Sequence, residues 1–187
     1  MSWTRRRVLQ LSGAAVAMTA AGGWSRPARA AHPKPRATGA KRLSLVNVHT
    51  SEKLDLEYFR GGEYVPASLA AIQVFLRDYR NGEQHAIDRQ LLDYLFDVAG
   101  QLRVDPVFSV ISGYRSPQTN EKLRERSAGV ARHSLHLEGR AIDVRLAGVD
   151  CADLAACALG MTRGGVGYYR KSDFVHLDTG PFRTWKG

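Results

Sequence analysis

Two short segments in the last third of the chain restrict its fold more than any other feature. Ser134–Asp143 has the sequence SLHLEGRAID, and Asp173–Asp178 has the sequence DFVHLD. His136, Asp143 and His176 within them are residue types that bind divalent metals, and imidazole with carboxylate suits zinc. Three protein ligands leave a fourth position for water. The three side chains can share an ion only if the fold brings both segments together.

Both segments have the pattern of short β-strands. Ala141–Arg145 is predicted as one strand, with His136 in the loop that leads into it. In Phe174–Asp178, the alternation of a strand sends His176 and Asp178 to one face. A single histidine in an apolar strand is usually a buried structural residue. The metal prediction therefore depends on the whole pattern, and it requires the two strands to be neighbours.

The remaining pattern predicts one α+β domain over residues 43–187, with N-terminal helices packed on a small, mostly antiparallel sheet. A chain of 187 residues with 44% hydrophobic composition can fill one core. The expected elements are strands at 43–50, 53–59 and 107–111, a helix at 68–79, a helix capped by Asp88 that runs to Gly100, and a helix begun by Pro117.

The net charge of +9 belongs to the N-terminal region and not to this domain. Nine arginines and lysines precede residue 43, whereas the first acidic residue is Glu52. Residues 43–187 are therefore neutral overall, which argues against nucleic acid as a partner.

The N-terminus has the features of an export signal. Thr4–Gln10, with the sequence TRRRVLQ, resembles a twin-arginine motif, and an apolar stretch follows at Leu11–Ala21. Ala28–Ala30 fits a small-x-small cleavage site. Residues 1–30 are predicted as a twin-arginine signal peptide and residues 31–42 as a basic, proline-rich linker. The apolar stretch is shorter than the ~20 residues of a membrane span, so membrane contact is expected only transiently during export to the periplasm. An uncleaved anchor is the alternative.

The only two cysteines are predicted to be free. Cys151 and Cys157 lie six residues apart in a segment with helical character. Such spacing separates their Cα atoms by about 9 Å, beyond the ~7 Å limit for a disulfide.

Arg115 is the most notable residue outside the two segments. It lies in Ile111–Ser116, sequence ISGYRS, between a predicted strand and a predicted helix. A guanidinium there can bind a substrate carboxylate in bidentate fashion. It can equally be a surface residue paired with Glu121 or Glu125. The residues alone leave both interpretations open.

These motifs together resemble a known family. The pattern Ser-x-His-x-x-Gly-x-Ala-x-Asp with a later histidine, and the segments at 111–116, 164–169 and 174–180, are similar to YcbK/MepK-type murein endopeptidases. These belong to the superfamily of zinc D-Ala-D-Ala carboxypeptidases and hedgehog-like metallopeptidases. The resemblance extends from about Leu43 to Trp185.

The resemblance implies one zinc ion per chain, held by His136, Asp143 and His176, with Arg115 in substrate binding. The expected reaction is hydrolysis of cross-links between peptidoglycan peptide stems, particularly those that join two diaminopimelate residues. One alternative is a D,D- or L,D-carboxypeptidase that trims terminal D-amino acids. Another is an inactive, zinc-containing module that binds the cell wall.

The general base is expected at Asp173, because related enzymes carry an acid three positions before the last zinc histidine. Asp178 is the rival, although its place beside His176 favours a role in orienting an imidazole. Other expected site residues are grouped around the same motifs. Tyr114 and Tyr168 are expected to line the substrate groove, Tyr169 to be a plain strand residue, His133 to contact substrate or to be a loop residue, and Ser134 to support the ligands.

Overall fold

One sheet organises the computed structural model, which describes residues 39–126 and 129–187. Across these residues the sheet has eight strands in the order β3-β2-β1-β4-β5-β7-β6-β8. The β1/β4 and β6/β8 pairs are parallel and the other pairs are antiparallel. The strands are β1 (Lys41–Asn47), β2 (Lys53–Arg60), β3 (Glu63–Tyr64), β4 (Val107–Ser112), β5 (Ala141–Leu146), β6 (Gly165–Tyr169), β7 (Phe174–Asp178) and β8 (Arg183–Lys186).

Helices cover one face of this sheet and bury its aliphatic side chains. In the described residues α1 (Pro66–Phe75), α2 (Arg89–Gln101) and α4 (Cys151–Met161) supply this cover. The remaining helix, α3 (Pro117–Arg126), buries only Thr119 and Asn120 and supplies no residue to the hydrophobic core. Ile142 and Val144 of β5 and Val175 and Leu177 of β7 are fully buried in the core. Alternation along each strand therefore leaves the polar residues between them on the opposite face. The predicted single α+β domain is confirmed.

Local sequence signals set the helix starts. The Asp88 carboxylate accepts a hydrogen bond from the Gln90 N–H at 2.9 Å and so caps α2. The same carboxylate accepts the Thr179 hydroxyl at 2.7 Å, which ties this helix start to the end of β7. Pro117 is the first residue of α3, where its missing N–H costs no helical hydrogen bond. Both predicted starts are confirmed.

The first helix is shorter than its apolar periodicity predicts, and ends at Phe75 instead of Tyr79. The reason is Asp78, which lies outside the helix because its side chain bonds to Ser116, the residue before α3. Its carboxylate accepts hydrogen bonds from the Ser116 N–H at 3.0 Å and from the Ser116 hydroxyl at 2.8 Å. A long-range polar contact of this kind overrides helical periodicity.

The start of the domain also differs from the prediction. β1 begins at Lys41, so Lys41 and Arg42 belong to the sheet and not to the linker predicted at 31–42. The signal peptide predicted at 1–30 and the rest of that linker lie outside the described residues. Among the residues that are described, no helix is long and apolar enough to cross a membrane. Cys151 and Cys157 are both free on α4, as their spacing predicts.

A buried polar cluster fastens α2 to the first three strands. The Asp93 carboxylate accepts hydrogen bonds from the Lys41 ammonium at 2.6 Å and from the Tyr58 hydroxyl at 3.0 Å, and a third comes from Tyr64. Burial alone raises the pKa of the Asp93 carboxyl. The three hydrogen bonds outweigh burial, so the pKa lies below its ordinary value.

The Asp93 cluster predicts a specific pH dependence of stability. Because the folded-state pKa is depressed, the contribution of Asp93 is complete above the unfolded pKa of about 3.9 and is lost as pH falls through the folded value. We expect Asp93→Asn to lower the free energy of unfolding at pH 7 by about 1–3 kcal/mol. The variant should also lose less stability than wild type below about pH 4.

Urea unfolding between pH 3 and pH 7 measures both effects. Asp105→Asn, which makes the same charge change at an exposed turn residue, is the matched control. Parallel stability–pH curves for Asp93→Asn and wild type would contradict the assignment.

Candidate metal centre

His136 is held by a single turn of 3-10 helix, Leu135–Glu138. The Ser134 hydroxyl caps this turn by accepting the His136 N–H at 3.4 Å. Gly139 ends the turn with a left-handed φ of 64°. A Cβ at Gly139 would lie 2.1 Å from the Ala86 carbonyl oxygen, so no other residue fits. The glycine of the motif is therefore required to place the histidine.

The other two candidate ligands are cross-strand neighbours. β5 and β7 are adjacent and antiparallel, and their register pairs Asp143 directly with His176. Directly paired residues project from the same face of a sheet. This face lies opposite the helices, where the 3-10 turn adds His136 from the side.

The three side chains converge on one point. His136 Nε2 lies 3.2 Å from His176 Nδ1, and Asp143 Oδ1 lies 3.3 Å and 2.9 Å from these two nitrogens. All three residues are buried. Tetrahedral zinc with bonds of about 2.0–2.1 Å separates neighbouring ligand atoms by roughly 3.3 Å. The observed spacing is slightly tighter than that.

Each histidine is fixed from behind by a hydrogen-bond acceptor. His136 Nδ1 lies 2.7 Å from the Gly113 carbonyl oxygen, and His176 Nε2 lies 3.0 Å from Asp178 Oδ2. Both contacts require an N–H on the outer nitrogen. In neutral imidazoles the inner nitrogens are then unprotonated, with their lone pairs directed at each other and at the Asp143 carboxylate.

Three inward-facing lone pairs at this distance repel one another unless a cation lies between them. The donor set of two imidazoles and one carboxylate is suited to a divalent metal, so the residues fit the ion that the resemblance implies. Burial lowers the pKa of both histidines, and that of His136 stays low. Hydrogen bonds to Asp143 and Asp178 outweigh burial at His176 and raise its pKa.

Asp178 is fully buried and holds His176 in place. Its carboxylate also accepts the N–H groups of Gly165 at 2.9 Å and Gly180 at 2.8 Å, and the Arg183 guanidinium at 2.7 Å. Burial raises the pKa of this carboxyl, but the hydrogen bonds outweigh it and keep the pKa far below the ordinary value. A permanently ionised acceptor therefore stands behind His176.

Two glycines make room for Asp178, one for its backbone and one for its carboxylate. A Cβ at Gly164 would lie 1.8 Å from the Asp178 carbonyl oxygen, and one at Gly165 would lie 2.4 Å from Asp178 Oδ2. The glycine pair is required by close backbone approach and not by a turn.

Arg115 lies beside the ligands and is buried. Its terminal Nη2 is 3.5 Å from Asp143 Oδ2 and 3.4 Å from the Ser112 hydroxyl, whereas its Nε has no hydrogen-bond partner among the described residues. The Arg115 N–H donates to the His136 carbonyl oxygen at 3.1 Å. Glu121 pairs with Arg124 instead. The alternative of a surface arginine paired with the α3 acids is therefore wrong.

A cavity of about 390 Å³ opens over this centre. Arg115, His133 and the three candidate ligands contribute to its lining, together with the 129–131 segment. Another part of the wall is aromatic and consists of Tyr169, Phe174 and Trp185. His133 is exposed and lines the cavity through its loop. Ser134 lines it as well as capping the turn.

Sequence reasoning missed Trp185 and the strand that carries it. The Trp185 ring centroid lies 5.1 Å from that of His176, and its indole N–H donates to the Tyr169 hydroxyl at 2.9 Å. A Cβ at Gly167 would lie 2.5 Å from the indole ring. β8 is only four residues long, which is too short for a clear strand pattern. Gly167 was the one available sequence signal that a bulky side chain packs closely against β6.

The structure reverses the prediction for the tyrosines. Tyr168 packs against the core, because alternation in β6 places it on the same face as the buried Val166. Tyr114 is buried and stacks on His85 at 5.1 Å, outside the cavity lining. Tyr169 lies in the wall instead, stacked on Phe174 at 4.5 Å.

Asp173 does not lie in the cavity. It has a positive φ of 52° in the turn before β7, and its carboxylate is 3.2 Å from Arg145 Nε. The side chain is 69% exposed. The expectation that this carboxylate leans over the open coordination position is not met by this conformation.

Comparisons with known proteins agree on one family. The model of the family described as peptidoglycan L,D-endopeptidase MepK matches residues 35–185. Peptidoglycan L,D-endopeptidase MepK of Escherichia coli strain K12 is 42% identical over 181 residues, which cover 97% of this chain and 96% of the relative. The probable peptidoglycan L,D-endopeptidase MepK of Haemophilus influenzae is 40% identical over 156 residues, covering 83% and 81%.

No solved structure was found to match the chain. The family model covers most of the sequence, including every residue of the candidate centre. The chain therefore belongs to the MepK family of peptidoglycan L,D-endopeptidases, a metallopeptidase family.

Proposed function

We propose that this protein is a zinc-dependent endopeptidase that hydrolyses peptide cross-links in peptidoglycan. Family membership supports the reaction class. The observation that carries the proposal is the pair of buried imidazoles whose inner nitrogens face Asp143. The curated relatives are named for an L,D bond, and a cross-link between two diaminopimelate residues has that stereochemistry.

One zinc ion would be held by His136 Nε2, His176 Nδ1 and an Asp143 oxygen. Bound there, zinc supplies the Lewis acid that activates water and polarises the amide carbonyl. The chain contributes the orientation of the donors. Gly113 and Asp178 fix the two imidazole tautomers, and such outer contacts also strengthen the ligands.

Arg115 is proposed to bind substrate. Its guanidinium is already desolvated, and its Nε lacks a partner in the described residues while the side chain lines the cavity. A buried unpaired donor is costly, so a carboxylate or carbonyl oxygen of a peptide stem that accepts it gains a strong, charge-assisted hydrogen bond. This contact would orient the scissile amide over the metal.

The aromatic wall of Tyr169, Phe174 and Trp185 would exclude water and hold the extended stem. The Trp185 ring also restricts the His176 imidazole to one orientation. The intact donor set and Arg115 argue against an inactive wall-binding module, since such a module needs neither. No feature of the cavity favours a carboxypeptidase.

We also propose Asp173 as the general base, which takes a proton from water and passes it to the leaving amine. Two observations support this role. The Asp173 side chain is mostly exposed, and its neighbour Phe174 lines the cavity. Rotation of the Asp173 side chain would break its contact with Arg145 and direct the carboxylate towards the cavity.

The protein is proposed to act in the periplasm, after export in the folded state through the twin-arginine pathway. The motif at Thr4–Gln10 and the cleavage pattern at Ala28–Ala30 support this route. The substrate of its relatives lies outside the cytoplasm.

The first prediction concerns the metal. Wild-type protein should retain one zinc ion per chain through dialysis, whereas His136→Ala and His176→Ala should lose it. Asp178→Asn keeps the shape but weakens the acceptor for His176, so we expect a 10- to 100-fold weaker affinity. Competition with a chromogenic chelator measures the affinity.

His85→Ala, which removes an exposed histidine outside the cavity, is the control and should bind zinc as wild type does. Retention of wild-type zinc affinity by His136→Ala would rule out the proposed centre.

The second prediction concerns the reaction. Isolated sacculi digested with zinc-loaded protein should lose cross-linked dimers and gain monomers, because the internal amide is cut. A chelator should stop the digestion and added zinc should restore it. Chromatography of the released muropeptides measures both. Dimers that remain joined while a terminal residue is lost would show a carboxypeptidase instead.

The third prediction separates two roles of Asp173. If it is the base, Asp173→Asn should lower kcat at least 10²-fold and leave zinc content unchanged. Arg145→Gln removes the guanidinium contacts to the Asp173 carboxylate and to the carbonyl oxygens of Ser172 and Asp173. It perturbs the turn but keeps the proposed base, so it should retain most activity. If both variants lose activity equally, Asp173 only anchors the turn. If neither variant loses activity, the base is another cavity group, of which His133 is the nearest candidate.

A further inference from the structure

A second cationic surface lies beside the cavity and is unused by the proposed reaction. Helix α3 carries Gln118, Lys122 and Arg126 at i, i+4 and i+8, so these side chains form one row. The acids Glu121 and Glu125 form a different row, where Glu121 is neutralised by Arg124 at 2.7 Å. The row of Gln118, Lys122 and Arg126 therefore contains no acid, and Glu125 lies in the neighbouring row, three residues after Lys122.

Arg80 completes this surface from the loop after α1. A small pocket of about 120 Å³ is lined by Arg80, Asn81, Lys122 and Arg126 together with uncharged α3 residues. No carboxylate lines it. Within residues 39–126 and 129–187, neither Lys122 nor Arg126 forms an ion pair. We call this pocket the α3 groove.

Two acids lie near the α3 groove, and both are engaged. Glu83 accepts a hydrogen bond from the side-chain amide of Asn81 at 2.6 Å. Asp78 lies 3.8 Å from the Arg80 guanidinium, but its side chain is fully buried. Its carboxylate accepts the N–H groups of Arg80 at 3.1 Å and Ser116 at 3.0 Å, as well as the Ser116 hydroxyl. Asp78 thus fixes the backbone of the groove and leaves the cations available to an external anion.

The same contacts place the α3 groove next to the substrate arginine. Because Asp78 joins the backbone of Arg80 to Ser116, the residue that follows Arg115, the groove adjoins the Arg115 wall of the cavity. An extended ligand that contacts Arg115 can therefore continue into the groove.

We propose that the α3 groove binds a free carboxylate of the peptide stem that flanks the bond being cut, and so selects stems with free rather than amidated carboxyl groups. The inference depends on the proposed peptidoglycan substrate. Three cations converge on a small pocket without an acid, which is the arrangement that stabilises a carboxylate through charge-assisted hydrogen bonds. Amidation removes the charge and with it most of this attraction.

The test compares two cross-linked stem dimers, one with free carboxyl groups and one amidated. Lys122→Gln/Arg126→Gln removes two groove cations without touching the metal centre or Arg115. We expect KM for the free dimer to rise about 10-fold at unchanged kcat, with little change for the amidated dimer. The dependence of KM on salt should also be weaker in the variant, because fewer charges are screened.

Lys53→Gln/Arg103→Gln is the matched control, since it removes two exposed cations that line neither pocket. It should behave as wild type towards both dimers. An equal rise in KM for free and amidated dimers, or no rise in the groove variant, would overturn the inference.

Failure of this inference is distinguishable from failure of the proposed function. If wild type cuts the dimers and Lys122→Gln/Arg126→Gln has the same KM for the free dimer as wild type, only the groove assignment fails. If wild type cuts neither dimer, the proposed reaction fails. Calorimetric binding of the uncut free dimer to wild type and to Lys122→Gln/Arg126→Gln then decides the groove separately, with about 10-fold weaker binding expected for the variant.

Discussion

The centre depends on two acceptors that lie behind the histidines. The Gly113 carbonyl oxygen and the Asp178 carboxylate each require an outer N–H, and so both inner nitrogens present lone pairs to Asp143. The remaining structure supplies these contacts. Gly113 follows β4, Asp178 ends β7, and Gly165 at the start of β6 leaves space for the carboxylate. A cation is the one partner that relieves the resulting repulsion.

The sheet and the loops each hold part of the candidate site. β5 and β7 hold Asp143 and His176 in a fixed register that buried aliphatic residues on the other face stabilise. The loops hold His136 and Arg115, and the Arg115 N–H bond to the His136 carbonyl links these two. Asp143 and His176 thus stand on the sheet, whereas His136 and Arg115 stand on connecting segments, which tolerate insertions.

Much of the fold and the ligand set is predictable from sequence, because strand alternation and capping are local. Val175 and Leu177 identify the buried face of β7, and Asp88 identifies the start of α2. Where a side chain lies elsewhere than the sequence predicts, the cause is nonlocal. Tyr168 and Tyr169 are adjacent, and only the packing of Val166 decides which one enters the core. Asp173 has the expected spacing, but spacing does not specify where a side chain points in a left-handed turn.

The two free thiols of α4 affect where in the cell this chain can fold. Neither cysteine has a disulfide partner, and Cys151 is enclosed by the packing of the helix on the sheet. The fold therefore needs no oxidant, and every contact of the domain can form in a reducing compartment. A protein of this design can finish folding where it is synthesised, ahead of any transport step, and does not depend on an oxidative foldase at its destination.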